Sequence, residues 1–468
     1  MIFGGTTPVK GEVVDIEIDN LAFGGEGVGR CRGMAVFVPE TVPGERVRVK
    51  LTEVKKTFAR GELVRVLTPA EGRVDYQCDL ASRCGGCALQ HIDYPRQLVE
   101  KANIVRDNLE RTGRLKGIDV PTTVGMETPW NYRNKVHFQV KEKDGRIILG
   151  LFEEGTHDLV ELFTSENGDT GCFLVEKELN LIAPIIQEML DEYNVPVYKW
   201  REKKGFLRHV MLRRATATGE IMAVLVANSP DWKSGEGFAK DLVGRCPDIK
   251  SVMLNVNRHH GRVVLGTHNI VLAGRGYITD RLLGLDFRIT PSSFYQVNHA
   301  QTEVLYKQAR EFAGLTGKER VLDLYCGIGG IALHLASAAR SVVGVEIVGE
   351  AVETARVNAA INGINNVEFI AGDIEKIIAK PTGRKELGNS DVVVLDPPRK
   401  GCSRTVLKGL SIFRPDRIVY VSCNPSTLAR DLAYLTELGY STAAVQPIDL
   451  FPHTSHVETV VLMSRVDK

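Results

Sequence analysis

The chain has 468 residues, too many for one core, so two or three domains are expected. Its 59 basic and 58 acidic side chains leave a formal charge of +1, which excludes a global pull toward nucleic acid; any such binding must use local patches. A 43% apolar composition without a membrane-length run or a basic-then-apolar leader predicts a globular, cytoplasmic protein with no membrane partner.

From Val9 to about Leu67 the sequence reads as short alternating strands (VVDIEI, AVFVP, RVRVKL, ELVRVL) split by glycine-rich turns such as FGGEGVGR (Phe23 to Arg30), a pattern that predicts a small β-barrel. A cysteine-bearing segment, CDLASRCGGC (Cys78 to Cys87), precedes a helical pattern from about Pro95 to Arg114. From about Pro121 to Ala273, strand-like runs (RIILGLFEEG, EIMAVLVAN, SVMLNVN, RVVLG) and one or two helices predict an α+β middle domain. From about Leu282 the alternation is strand then helix (RVLDLYCGIGG, SVVGVEIV, NVEFIAGD, DVVVLDPP, RIVYVSC), the mark of a parallel sheet. The expected division is a barrel over 1–68, a middle domain over 69–94 and 120–275, and a Rossmann-like α/β domain over 95–119 and 276–468.

Chemistry concentrates at the strand ends of that last domain. VLDLYCGIGGIALHLA (Val321 to Ala336) is strand, glycine turn and helix, with Gly327, Gly329 and Gly330 allowing close backbone approach to a ligand. Asp323 lies inside the strand end, and Glu346 closes the next strand about 20 residues on, where a ribose-binding acid belongs. Asp373 and Asp396 follow at the third and fourth strand ends. The C-G-I-G-G turn departs from the dinucleotide fingerprint, and together these features point to a methyltransferase that uses S-adenosylmethionine.

In VSCNPSTLARD (Val421 to Asp431), Cys423 sits between a strand and a helix capped by Asn424 with Pro425 in its first turn, where the helix dipole favours a thiolate. A small buried cysteine is the bland alternative. An amine or hydroxyl acceptor needs no thiol, whereas C5 of uracil or cytosine becomes nucleophilic only after a thiolate adds to C6, and the C5 proton must then leave to a base. Glu458 in PHTSHVE (Pro452 to Glu458) reaches the same rim if the last strand, ETVVLMS, runs antiparallel; His453 and His456 are rival bases, read as structural.

The set SFYQVN (Ser293 to Asn298), LDLYCGIGG, DPPRKG, SCNPSTLARD and PHTSHVE resembles the signature of the RNA uracil-C5 methyltransferase family, and the whole chain resembles its ribosomal branch, with a TRAM barrel and an iron–sulfur cluster. The resemblance implies Cys423 as nucleophile, Glu458 as base, and Gln296, Tyr325, Gly327, Gly330, Glu346, Asp373 and Asp396 in the cofactor and uracil pockets. Family members often carry Phe in place of Tyr325 and Asn in place of Gly330. The partner it implies is 23S rRNA with a flipped uridine.

Cys78, Cys84 and Cys87 form C-x5-C-x2-C, to which the resemblance adds Cys172 as fourth ligand; the expected group is a [4Fe-4S] cluster, with zinc as the alternative. The radical spacing C-x3-C-x2-C is absent, so the expected role is structural, and Cys31, Cys246, Cys326 and Cys402 are read as bystanders. YKWREKKGFLRHVMLRR (Tyr198 to Arg214) and WNYRNK (Trp130 to Lys135) interleave basic and aromatic residues, a pattern suited to unstacked RNA or, more blandly, to a solvated charged face. The other readings are the transfer-RNA branch, a cytosine-C5 or N6-adenine enzyme, whose usual motifs are absent, and a non-catalytic RNA-binding module.

Overall fold

Alternating burial builds the first unit. In the computed structural model, which describes residues 7–164, 171–259, 261 and 263–466, the strands β1 (Val13–Leu21), β2 (Gly27–Cys31), β3 (Met34–Val38), β4 (Arg46–Val54) and β5 (Phe58–Thr68) close a barrel in the order β1-β2-β3-β5-β4. Val47, Val49 and Leu51 point inward with Ile16, Ile18, Val36 and Val38, while Arg46, Arg48 and Lys50 point out. Residues 1–6 of the span assigned to the barrel lie outside the described residues. The second half of FGGEGVGR is strand rather than turn: a side chain at Gly27 would collide with Thr41, and one at Gly29 with the Glu17 carbonyl, so glycine is what lets this strand cross the narrow barrel.

Helix α1 (Tyr94–Arg111) starts at Asp93, whose carboxylate accepts the Arg96 N–H at 2.8 Å. The middle unit is a seven-stranded sheet of β6 (Lys135–Lys143), β7 (Arg146–Phe152), β8 (Leu159–Glu161), β9 (Leu207–Arg214), β10 (Ile221–Ala227), β11 (Ile249–Val256) and β12 (His268–Gly274), ordered β12-β11-β10-β9-β6-β7-β8. One face buries α2 (Lys177–Glu192) and α3 (Gly235–Arg245); the other presents Met211, Met222, Val224 and Met253 to the core of the last domain. The expected strand RVVLG does not form. The carbonyls of Val263, Val264 and Gly266 instead accept from the Asn257 and Asn255 side chains, which ties down a loop; Arg262 lies outside the described residues.

After a hairpin, β13 (Ile278–Leu282) with β14 (Leu285–Ile289), and helix α4 (His299–Ala313), the last unit alternates β15 (Arg320–Leu324), α5 (Gly330–Ala336), β16 (Ser341–Glu346), α6 (Gly349–Ile361), β17 (Val367–Ala371), α7 (Ile374–Ala379), α8 (Pro381–Leu387), β18 (Val392–Leu395), α9 (Arg404–Phe413), β19 (Arg417–Ser422) and α10 (Pro425–Glu437). It ends in β20 (Tyr440–Ile448) and β21 (Glu458–Arg465). The sheet order is β17-β16-β15-β18-β19-β21-β20, parallel through β19, with β21 antiparallel to β19 and to β20. Strands buried on both faces need continuous apolar runs, and β18 is Val-Val-Val-Leu, fully buried. The order reverses between β15 and β18, and ligands of such sheets bind outside the strands' carboxyl ends at that point. Among the described residues no helix is long and apolar enough to cross a membrane.

Candidate active site

The chain leaves β15 through Tyr325, whose φ of 67° is unusual for a side chain of this size, and through Gly327 and Gly329 at 54° and 87°. This turn curls around an open cavity lined by Gln296, Tyr325, Gly327, Gly330 and Asp396 together with Phe294, Tyr295, Tyr306, Asp323 and Cys326. Five of the seven expected cofactor residues therefore meet at one cavity. Glu346 braces the turn from behind, accepting the Gly327 N–H at 3.2 Å and the Val348 N–H at 2.9 Å. Asp373 caps α7, accepting the Glu375 N–H at 3.1 Å, one strand end farther out.

The last register pair of β19 and β21 is Ser422 with Thr459, so one step outward brings Cys423 to the same rim as Glu458, whose charge acts on the thiol. Asp396 ends the adjoining strand, β18. Asn424 caps α10, its side chain accepting from Ser426 and Thr427 N–H groups, with Pro425 in the first turn as the sequence predicts. Electrostatics here differ from the expectation of a dipole-stabilised thiolate. Burial first, then the charges of Glu458 and Asp396, push the Cys423 thiol up to about 11, and only Arg399 and a backbone hydrogen bond oppose them. Burial lifts Asp396 to about 7, and burial plus Asp396 lifts Glu458, 5% exposed, to about 8. Arg399 also favours the ionised form of Glu458. The resting site thus holds a neutral thiol beside carboxyls tuned to exchange protons near neutrality.

The C-terminal part of the chain, residues 252–466, matches the family model for tRNA (uracil-5-)-methyltransferase, and residues 9–64 match the TRAM domain. An "uncharacterized RNA methyltransferase" of Bacillus cereus is 42% identical over 99% of this chain and 99% of its own, and one of Caldanaerobacter subterraneus is 45% identical over 97% and 99%. The chain belongs to the RNA uracil-C5 methyltransferase family. Among solved structures, the Pyrococcus abyssi tRNA (uracil-54, C5)-methyltransferase in complex with S-adenosyl-L-homocysteine superposes with a TM-score of 0.74 at 27% identity, covering 96% of this chain and 99% of that one. The present protein is an RNA uracil-C5 methyltransferase with S-adenosylmethionine as methyl donor, and its first barrel is a TRAM domain.

In this methyltransferase further side chains shape the site, among them Tyr306, Arg399 and Lys101, to which the sequence assigns no role. Tyr306, inside an ordinary helical pattern on α4, fills the space left by Gly330, so that a Cβ there would strike its hydroxyl. Asp323 is buried, its carboxylate oxygens make no hydrogen bond of normal geometry, and burial followed by Asp396 raises it well above the usual carboxyl range. Arg399 lies within the DPPR motif and bonds His456 at 3.3 Å. The loop leading to Glu458 is anchored by Lys101 of α1, which donates to Asp449 at 2.6 Å and to the Phe451 carbonyl at 3.0 Å with both charged side chains fully buried. His453 stacks on Trp130 at 3.7 Å and meets Gln97 at 3.1 Å, and burial drives it to about 3; His456 is driven to about 4. Imidazoles that hold a proton so weakly are poor acceptors near neutrality, which suits brackets better than bases.

The two basic stretches are largely structural. In the first, Phe206, Arg208 and Arg213 are buried, and Arg213 donates to the carbonyls of Thr290 (3.1 Å) and Ser293 (3.0 Å), fixing the loop that carries Gln296. In the second, the Tyr132 hydroxyl donates to Pro452 O and Asn134 to Gln296 O. Guanidinium groups serve backbone carbonyls here because β9 is central in its sheet. Cys78, Cys84, Cys87 and Cys172 line a single largely apolar cavity, none of them in a disulfide.

Proposed function

We propose that the enzyme methylates C5 of a uridine in 23S rRNA through a covalent adduct between Cys423 and C6 of the base. The observation that carries this reading is the register of β19 and β21, which sets Cys423 against Glu458 beside Asp396 and the cofactor cavity. The ionised fraction of Asp396 takes the thiol proton of Cys423 as the sulfur adds to C6. C5 then takes the methyl group from the sulfonium, Glu458 removes the C5 proton, and elimination frees the thiolate. Arg399 favours the ionised Glu458 that this step requires. Gln296, Tyr325, Gly327, Gly330 and Asp396 hold cofactor and uracil, with Glu346 and Asp373 at the edge of the same rim.

The ribosomal target rests on the resemblance of the whole chain to that branch. Barrel and middle sheet do not separate the targets, since a tRNA enzyme covers 96% of this chain. Methylation of 23S fragments with wild type but not with Cys423→Ala, and no transfer to tRNA, is the expected result; methylation of tRNA alone would overturn the target.

The four-cysteine cavity is suited to a [4Fe-4S] cluster held by Cys78, Cys84, Cys87 and Cys172. Four thiolates suit zinc as well; the resemblance of the chain to the cluster-bearing branch favours iron and sulfide. A cluster would tie the cysteine segment to the middle sheet and supply no step of methyl transfer. Iron and acid-labile sulfide in anaerobically purified protein support it; stoichiometric zinc without sulfide refutes it.

A further inference from the structure

With most of the Tyr198–Arg214 stretch buried, one aromatic group is left over. Trp200 is 41% exposed, at the start of a tight turn in which the Lys199 N–H donates to Lys204 O at 2.7 Å. Isolated surface aromatics are ordinary; the support beneath this one is not. Arg208 places its guanidinium 4.3 Å from the indole centroid and 4.9 Å from the Tyr198 ring, which meets Trp200 edge-on at 5.3 Å. That guanidinium is itself buried, held by the carbonyls of Asn257 and His259, with Nε unpartnered. Arg208 is thus spent inside the protein, fixing an indole that stays half in solvent, at a real desolvation cost.

The surroundings favour one kind of occupant. Lys199, Arg201, Lys203 and Lys204 are exposed around the turn, against two acids, Glu202 within it and Glu142, 3.9 Å from Lys199. The His209 ring lies 6.0 Å from Trp200, and along β9 it shares a face with Met211 and Arg213, paired with Gln139, His137 and Lys135 of β6. Four residues of strand span roughly 13 Å, and Arg213 at the far end grips the loop that carries Gln296. Trp200 and the loop that carries Gln296 are thus held at opposite ends of one strand segment.

We propose that Trp200 is a stacking platform for an unpaired base of the substrate RNA flanking the target uridine, with the cationic turn holding the adjacent phosphates. The proposal rests on the enzyme's acting on RNA and not on which RNA it is. The test uses whichever RNA the full-length enzyme methylates, so failure of the 23S assignment leaves it intact. Binding is measured for wild type, Trp200→Ala and Trp200→Phe against that RNA and a series bearing one abasic position at a time. Trp200→Ala weakens binding about 5- to 100-fold, as a rise in KM at nearly constant kcat, with cofactor affinity unchanged; Trp200→Phe stays within about threefold of wild type. One abasic position costs wild type a similar factor and costs Trp200→Ala nothing further, because both remove the same stack. Wild-type affinity in Trp200→Ala overturns the proposal. So does an abasic series that costs both proteins equally, since the loss would then come through the shape of the turn.

Discussion

Replacing Glu458 by Gln should stabilise the protein at alkaline pH and change little in acid. The carboxyl rises from 4.5 to about 8 on folding, so the folded state retains a proton that the unfolded chain releases above about pH 4.5. Wild-type stability therefore falls as pH climbs from about 4.5 to about 8 and levels off above. A shift of 3.5 units (8 minus 4.5) at 1.36 kcal/mol per unit gives about 5 kcal/mol as the upper limit, and local relaxation and water penetration reduce this to roughly 3 kcal/mol. The amide cannot titrate and keeps the shape of the acid. Urea unfolding of both proteins at pH 5 and pH 9 reads the effect: near-equal stability at pH 5, and the variant more stable by roughly 3 kcal/mol at pH 9. Parallel stability profiles across that range would refute the claim that Glu458 is a buried, destabilised carboxyl kept for its chemistry.

The same variant should transfer methyl once and then stall with RNA attached, detectable as a covalent protein–RNA band, and its single-turnover rate should lack the rise through pH 8 that wild type shows. Gly330→Ala should weaken S-adenosylmethionine binding at least about tenfold by driving the Tyr306 hydroxyl off its seat, and adding Tyr306→Phe should recover part of the loss in calorimetric titrations. Lys101→Met should destabilise by about 3–5 kcal/mol because it strands the buried Asp449 charge; pairing it with Asp449→Leu should restore most of the unfolding free energy.

The catalytic half was legible because its signals are local. Strand runs such as RIVYVS, the Asn424–Pro425 helix start and the acids at successive strand ends are each written within about ten residues, and the structure places them accordingly. What escaped depends on distant parts of the chain. Arg208 and Arg213 read as RNA contacts because composition does not reveal that β9 is central, and Lys101 reads as one more surface cation until Asp449, 348 residues on, is seen beside it. The state of Cys423 was misjudged for a related reason: the helix start is visible in the sequence, whereas the burial and the opposing Glu458 that outweigh it come from tertiary packing.

Intact mass of the enzyme incubated with S-adenosylmethionine and 5-fluorouridine-substituted RNA tests the central claim most directly. Fluorine at C5 cannot leave as a proton, so the intermediate should accumulate. A methylated RNA adduct that maps to Cys423, absent in Cys423→Ala, is the predicted result. Cofactor-binding protein that methylates uridine at C5 yet yields no adduct, or one on another residue, would contradict the assignment of Cys423 as the nucleophile.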